Sequence, residues 1–388
     1  SFERMNHIVE VDPDNLTLTV QPGVVTSEIT KAASNHGLLY AGDPCSGDAS
    51  YIGGNVAENA GGNKVVKYGP TGSHVLGLEA VLPDGSVCWF GGKRRKDATG
   101  YDLAHLLVGS EGTLAVITQI ILKLLPLPAR VADLLVPFPD VPSAMAFVPR
   151  LMTEARIIPS SIEFMDQTSL RLTEQSLKTT LPHYEAGGQL IIQLEGNDAP
   201  SLQRDVERVG DLCMKHGALN VYVAQNRNHR DKIWKIRKSL AEQVWAQTNR
   251  QIADEDVVVP TSRVPDLMTT LEKTAALFGI SFIAYGHVGD GNIHVSLYKA
   301  EEIPHWESLV EEVREQLYRK IRDLGGTLTG EHGVGLKRPR YVPLFLDEAQ
   351  IRLQRRIKRA FDPHNILNPG KALPWDPDPS EEEKGGTR

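Results

Sequence analysis

The sequence predicts an α+β fold in two main parts: a glycine-rich β region, then an antiparallel or mixed sheet with helices packed on one face. Three observations carry this. Short alternations of apolar and polar residues fill the first third of the chain. An apolar run, a proline and an amphipathic stretch recur between residue 129 and about residue 330. The length of 388 residues exceeds an ordinary single domain of ~150.

The elements follow in order. Val9, Val11, Leu16, Leu18 and Val20 alternate around Asp12-Pro13-Asp14-Asn15 and predict two strands joined by a turn. Leu76 to Leu82, Pro83-Asp84-Gly85 and Val87 to Phe90 predict a hairpin. Pro126-Leu127-Pro128 closes this part. Strands at Leu134-Leu135-Val136, Leu190 to Leu194 and Val257-Val258-Val259 each precede a proline (Pro142, Pro200, Pro265) and a helix, ending near Met152, His216 and Phe278. Proline suits the first helical turn, where no N–H is needed. A second strand follows each helix, at Ser161 to Phe164, Asn220 to Val223 and Ser281 to Ala284, and a last helix runs from Pro304 to Leu324. Residues 1–128 and 129–335 form the two parts, 336–375 a C-terminal segment with a helix from Asp347 to Phe361. The acidic stretch 376–388 is expected to be disordered.

Composition bounds the function. With 42 Lys+Arg against 49 Asp+Glu the net charge is −7, which argues against nucleic-acid binding. The apolar stretch Leu114 to Leu127 is interrupted by Thr118, Gln119 and Lys123 and is too short to span a bilayer. Ser1-Phe2-Glu3-Arg4 leads into polar sequence, so no secretory leader is expected. Cys45, Cys88 and Cys213 are too sparse for a cysteine zinc site or an iron–sulfur cluster. They read as free thiols in a reducing compartment: the cytoplasm, or the mitochondrial matrix in a eukaryote, with membrane contact no more than peripheral.

Chemistry concentrates in three phrases. In Tyr285-Gly-His287-Val-Gly-Asp290-Gly291-Asn-Ile-His294 the Asp-Gly pair reads as a two-residue turn. That register sets His287 opposite His294, where two imidazoles can share a divalent ion. The bland alternative is a surface hairpin with incidental histidines. Thr329-Gly-Glu331-His332-Gly-Val-Gly-Leu-Lys337-Arg338 offers a carboxylate as third ligand and leaves His332 as a general base. Glu331 and His332 are neighbours, and in extended chain neighbours face opposite sides, which separates the two roles. Lys337 and Arg338 are either substrate or flavin contacts or a solvated pair. The third phrase, Gly53-Gly54-Asn55 through Asn59-Ala-Gly61-Gly62, with Tyr68-Gly69 and Gly109-Ser-Glu111-Gly112, is by itself weak evidence for a phosphate-bearing cofactor.

These phrases, with Asn368-Pro369-Gly370-Lys371, stand in an order and spacing that resembles the FAD-linked D-2-hydroxyacid dehydrogenases: D-lactate dehydrogenase, the FAD-binding subunit of glycolate oxidase and D-2-hydroxyglutarate dehydrogenase. The resemblance runs from about Val20 to Leu373. It implies a vanillyl-alcohol-oxidase-type FAD domain, a ferredoxin-like cap, and a C-terminal segment that returns to the FAD domain. It implies flavin contacts at Pro44, Cys45, Gly53, Gly54, Asn55, Asn59, Gly61, Gly62, Tyr68, Gly69, Gly109, Glu111, Gly112 and Asn368. The metal, zinc ahead of manganese or iron, falls on His287, His294 and Glu331, with His332 as base, and Arg237 in Trp234-Lys-Ile-Arg237 holds the substrate carboxylate. Family members open with a further glycine-rich segment that cradles the FAD pyrophosphate; this sequence starts after it. Some members place a Lys before the strand matching Val257-Val258-Val259. Here Asp254-Glu255-Asp256 stand there, read as an acidic patch near the entrance that suits a small monocarboxylate.

The activity implied is oxidation of a small D-2-hydroxy acid, D-lactate or glycolate ahead of D-2-hydroxyglutarate. The FAD is expected to be non-covalent, since Cys45 is the one nearby thiol and the resemblance gives it no such bond. Electrons would leave to a quinone, a cytochrome, an electron-transfer flavoprotein or an iron–sulfur subunit, and a homodimer is allowed. Two other readings stay open: a flavin-free, non-catalytic metal-binding subunit or fragment, and a flavoprotein that reduces a double bond with NADPH, against which the metal set argues.

Overall fold

The computed structural model describes residues 1–42, 44–247, 251–299, 301 and 303–374. The tail for which disorder was expected lies outside the described residues. Within them the strands are β1 Ile8–Asp12, β2 Thr17–Val20, β3 Leu38–Leu39, β4 Val75–Val81, β5 Val87–Gly91, β6 Val116–Lys123, β7 Leu125–Pro126, β8 Arg130–Phe138, β9 Ser161–Asp166, β10 Gly188–Gly196, β11 Tyr222–Val223, β12 Ile252–Val258, β13 Ser281–His287 and β14 Asn292–Tyr298.

A first sheet has the order β1-β2-β6-β4-β5, with β3 and β7 paired beside it. Leu18, Val20, Leu78, Ile120 and Leu122 pack its core with Ile52 and Val56 of the short helix Ile52–Glu58. The helix Glu348–Phe361 starts with a capping box at Asp347 and lays Ile357 and Phe361 against this same core.

The second sheet has the order β11-β8-β10-β9-β13-β14-β12, and its neighbours are all antiparallel. The expected strand–Pro–helix units are present, with Val141–Ala155, Ala199–Lys215, Val264–Phe278 and Trp306–Asp323 on one face. Each of the first three has a proline in its first two positions. The other face is covered as well, by the helices Gln167–Leu177 and Arg227–Gln247. Periodicity did not announce these. The longer one has nine Lys, Arg, His and Asp/Glu residues in its amphipathic stretch, which blurs the apolar stripe of Ile233, Trp234, Ile236, Leu240 and Val244. That second face carries the site.

Candidate active site and metal centre

The histidine hairpin departs from the expected register. His287 pairs with Asn292, and Tyr285 with His294, so the connection is four residues long, Val288 to Gly291. Asp290 N–H bonds to the His287 carbonyl (3.2 Å) and Gly291 N–H to that of Val288 (3.3 Å). Asp290 also accepts from Asn292 N–H, and Gly291 takes a left-handed φ of 85°. A helical turn closed by a left-handed glycine therefore replaces the two-residue turn. The Val259 carbonyl lies where a Gly291 side chain would start. The two histidines become diagonal neighbours on one face, their ring centroids 5.3 Å apart.

Strand register gives each histidine a carboxylate. His294 is the cross-strand partner of Asp256 on β12, and its Nδ1 lies 3.5 Å from Asp256 Oδ1. On the other side Tyr285 pairs with Met165 and Gly286 with Phe164. One step further His287 meets Glu163, with Nδ1 2.8 Å from Glu163 Oε1. Both carboxylates are fully buried. The remaining nitrogens converge: His287 Nε2 is 3.7 Å and His294 Nε2 3.4 Å from the same oxygen, Glu331 Oε1. Tetrahedral ligands about 2.0–2.2 Å from a zinc ion stand roughly 3.3–3.6 Å apart, so the spacing fits a divalent ion. The Glu163 contact orients the His287 ring from behind, whereas His294 Nδ1 makes no hydrogen bond among the described residues.

Sequence reasoning missed Glu163 and Asp256. The available signal was Ser161-Ile-Glu163-Phe, whose polar positions alternate with core residues. The Asp254-Glu255-Asp256 triplet is not an entrance patch, because it lies in β12 with Glu255 and Asp256 buried. Glu255 receives Arg314 and Tyr318. Asp256 Oδ2 accepts from Thr329 Oγ1 and from the amides of Gly330, Glu331 and His332, all at 2.8–2.9 Å. Three consecutive amides aimed at one oxygen mean that the chain curls here, so Glu331 and His332 do not face opposite sides. His332 Nε2 lies 3.9 Å from Glu331 Oε1, and its ring stacks on His294 at 5.4 Å. Asp256, His294, Glu331 and His332 bring ligand atoms within 4.8 Å of one another. Exposure separates them: the side chain of His332 is 52% exposed, against 13% for His294 and 4% for His287.

Charge balance follows from this packing. Burial works against the Glu331 carboxylate, but the His287 bond and the two imidazoles bring it down to about 2. Burial also lowers His294, to about 4, against the pull of Glu331 and Asp256. At neutral pH its ring carries no charge. His287 goes the other way, because the charge of Glu163 outweighs burial and holds it well above its ordinary value. Arg237, 3% exposed, completes the row: its Nη2 is 2.6 Å from Glu163 Oε2, and its Nε has no hydrogen-bond partner among the described residues.

The residues expected at the flavin divide. A cavity of about 950 Å³ is lined by Gly53, Gly54, Asn55, Gly112 and Asn368, together with Pro22, Tyr51 and the Ala115–Ile117 strand end. Its volume and mixed lining suit a cofactor. Gly61, Gly62 and Gly69 line a separate narrow crevice, and an added Cβ on Gly61 would lie 2.6 Å from Glu331 Oε2. Asn59 caps its helix with φ 53° and accepts from Gly72 N–H, while Gly109 (φ 71°) packs beside it. Tyr68 hydroxyl donates to Glu195 of the second sheet. Pro44 carries a turn bond from Gly47. Cys45 is within 4.8 Å of Glu163 and His287, at the histidine site rather than in the cavity wall. Glu111 directs its carboxylate to the amides of Val334 and Gly335, both 2.7 Å. Arg338 is buried and bonded to the Gly333 carbonyl and Tyr318, and Lys337 is exposed.

Residues 127–372 match the FAD-linked oxidase C-terminal domain, and residues 1–91 match an FAD-binding domain. The chain belongs to the FAD-linked oxidases. This FAD-linked oxidase is 39% identical to glycolate oxidase subunit GlcD of Bacillus subtilis over 97% of its own length and 79% of that protein's. It is 34% identical to D-lactate dehydrogenase of Anaerostipes hadrus, covering 96% and 79% of the two chains. Among solved structures, p-cresol methylhydroxylase with substrate bound superposes with a TM-score of 0.77 at 16% identity, over 97% of this chain and 79% of that one. The 4-ethylphenol oxidase of Gulosibacter chungangensis gives 0.73 at 18% identity, over 96% and 79%. The oxidase thus has the fold of the vanillyl-alcohol-oxidase flavoproteins. No helix among the described residues is long and apolar enough to cross a membrane.

Proposed function

We propose that this FAD-linked oxidase converts a small D-2-hydroxy acid to the 2-oxo acid, glycolate or D-lactate ahead of D-2-hydroxyglutarate. One observation carries the reading: two imidazole nitrogens, each backed by a buried carboxylate, converge on Glu331. The glycolate oxidase subunit and the D-lactate dehydrogenase among its relatives support the substrate class.

The residues at the 950 Å³ cavity fit FAD, which when bound supplies the hydride acceptor. His287, His294 and Glu331 fit a divalent ion, zinc ahead of manganese or iron, which supplies Lewis acidity toward a substrate hydroxyl. The chain's own side chains do the rest. Arg237 offers its unpaired Nε to the substrate carboxylate and orients the α-carbon. Glu163 keeps that buried cation balanced and holds His287 in place. His332, half-exposed and stacked on His294, accepts the hydroxyl proton at a ring nitrogen. Electrons pass to a separate acceptor, a quinone, cytochrome, electron-transfer flavoprotein or iron–sulfur partner, since Cys45, Cys88 and Cys213 are scattered free thiols.

A substrate panel with an artificial dye acceptor tests this on protein supplied with FAD and zinc. Glycolate or D-lactate should turn over, EDTA should stop the reaction, and zinc should restore it. Turnover indifferent to chelation, or no turnover of any 2-hydroxy acid, would contradict the reading.

A further inference from the structure

Glu111 stands between the flavin cavity and the histidine site and is bonded to both. Its main chain is bonded to the cavity wall. The Glu111 N–H donates to the Ala57 carbonyl (2.8 Å), and Asn368 Nδ2 donates to the Glu111 carbonyl (2.6 Å); Ala57 and Asn368 both line the cavity. The next residue, Gly112, lines it too, and an added Cβ there would lie 2.9 Å from Asn368 Nδ2. Its side chain belongs to the loop that carries Glu331 and His332. One carboxylate oxygen accepts Val334 N–H and the other Gly335 N–H, each at 2.7 Å. Gly333 keeps a left-handed φ of 72° at the same spot, with Glu58 and Glu111 where its side chain would begin. The opposite end of the loop is fixed by Asp256, on the second sheet. The ligand loop is therefore suspended between two carboxylates, one on the sheet with the histidines and one on the cavity wall.

We propose that Glu111 is a positioning residue that couples occupancy of the flavin cavity to the geometry of the 331–335 loop, so that FAD and the divalent ion bind cooperatively. The proposal rests on the metal and flavin reading above. A cofactor in the cavity restrains Ala57, Gly112 and Asn368. These hold the Glu111 backbone, and its carboxylate, with two charge-assisted bonds in a partly buried place, fixes the amides two and three residues beyond His332. Coupling of this kind is reciprocal, because whatever FAD does to metal affinity the metal does to FAD affinity.

The test compares holoenzyme with its flavin-stripped form, in wild type and in Glu111→Gln, which keeps the side-chain volume but removes the charge and one acceptor. Zinc affinity is read by chelator competition. Hydrogen exchange of the peptide spanning 331–337 is read without metal. In wild type, FAD should tighten zinc binding by about 5- to 150-fold, the usual span of coupling between sites, and slow exchange at Val334 and Gly335. In Glu111→Gln the FAD effect on zinc should fall below about twofold, with exchange equally fast in both forms. Zinc binding that ignores FAD in wild type would overturn the coupling and leave the metal site standing. A Glu111→Gln protein that keeps the full FAD effect would overturn the role of Glu111. Failure to bind zinc in either form would overturn the metal reading, and the metal-free exchange measurement would still decide whether FAD reaches the loop.

Discussion

At Asp256 one carboxylate oxygen gathers three consecutive amides of the ligand loop while the other faces His294 Nδ1 and accepts from Asn292 Nδ2 at 2.7 Å. Burial opposes its charge, but the neighbouring imidazoles and amides prevail and hold it well below the usual carboxylate range. It lies behind the His294 ring and fixes the loop that bears Glu331. Asp256→Asn should weaken zinc binding by about 10- to 100-fold, measured by chelator competition, and unchanged affinity would contradict the role. His332 differs because its side chain is half exposed, touching Asp256 Oδ2 only at 3.9 Å and stacking on His294. His332→Ala should keep zinc and flavin yet slow flavin reduction by ~10²–10⁴-fold, with the deficit shrinking as pH rises. Loss of the metal with the activity would make His332 a ligand. At this scale the gathering of His287, His294 and Glu331 was legible, since two histidine-bearing phrases and one acidic phrase stand out in the sequence. Glu163 and Asp256 were not, because a lone acid in an apolar strand looks the same whether it is at an edge or buried behind a ligand.

The elements that position these residues are the β13–β14 hairpin and the 330–335 loop. Asp290-Gly291 correctly marked a turn. Its length was hidden, because Val288 and Gly289 could have extended the strand; Gly289 instead packs against Val66 and Ile162 and donates to the Ile162 carbonyl. Against the loop, at Gly333, packs a titratable group from the helix Ile52–Glu58. Burial first, and then the charge of Glu111, lift Glu58 to about 7, and its Oε2 lacks a hydrogen-bond partner among the described residues. A carboxyl raised in the folded state contributes stability that is present in full below its unfolded value near 4.5 and is lost as pH rises through about 7. Glu58→Gln imitates the protonated form. Wild type should therefore lose Tm relative to this variant between about pH 5 and pH 8, and parallel Tm curves would contradict the assignment.

For the whole molecule, the antiparallel sheet and its helices were legible from the recurring strand–Pro–helix pattern, and the fold type from the order and spacing of the glycine-bearing phrases. The second helical layer was not, because Arg227–Gln247 hides a narrow apolar stripe among charges. That layer seals Arg237 beneath the site. The wall of the 950 Å³ cavity contains neither histidine nor cysteine among the described residues, and Cys45 lies with His287 and Glu163 instead. Acid precipitation of the holoenzyme should release all its flavin, and colour left in the pellet would refute non-covalent binding. The account as a whole depends on an ion held by His287, His294 and Glu331. Metal analysis of protein purified without chelator tests that most directly. About one equivalent of a divalent metal in wild type, and less than a tenth in a folded His287→Ala variant, is the result expected. Wild-type protein that turns over a 2-hydroxy acid with less than a tenth of an equivalent would contradict it.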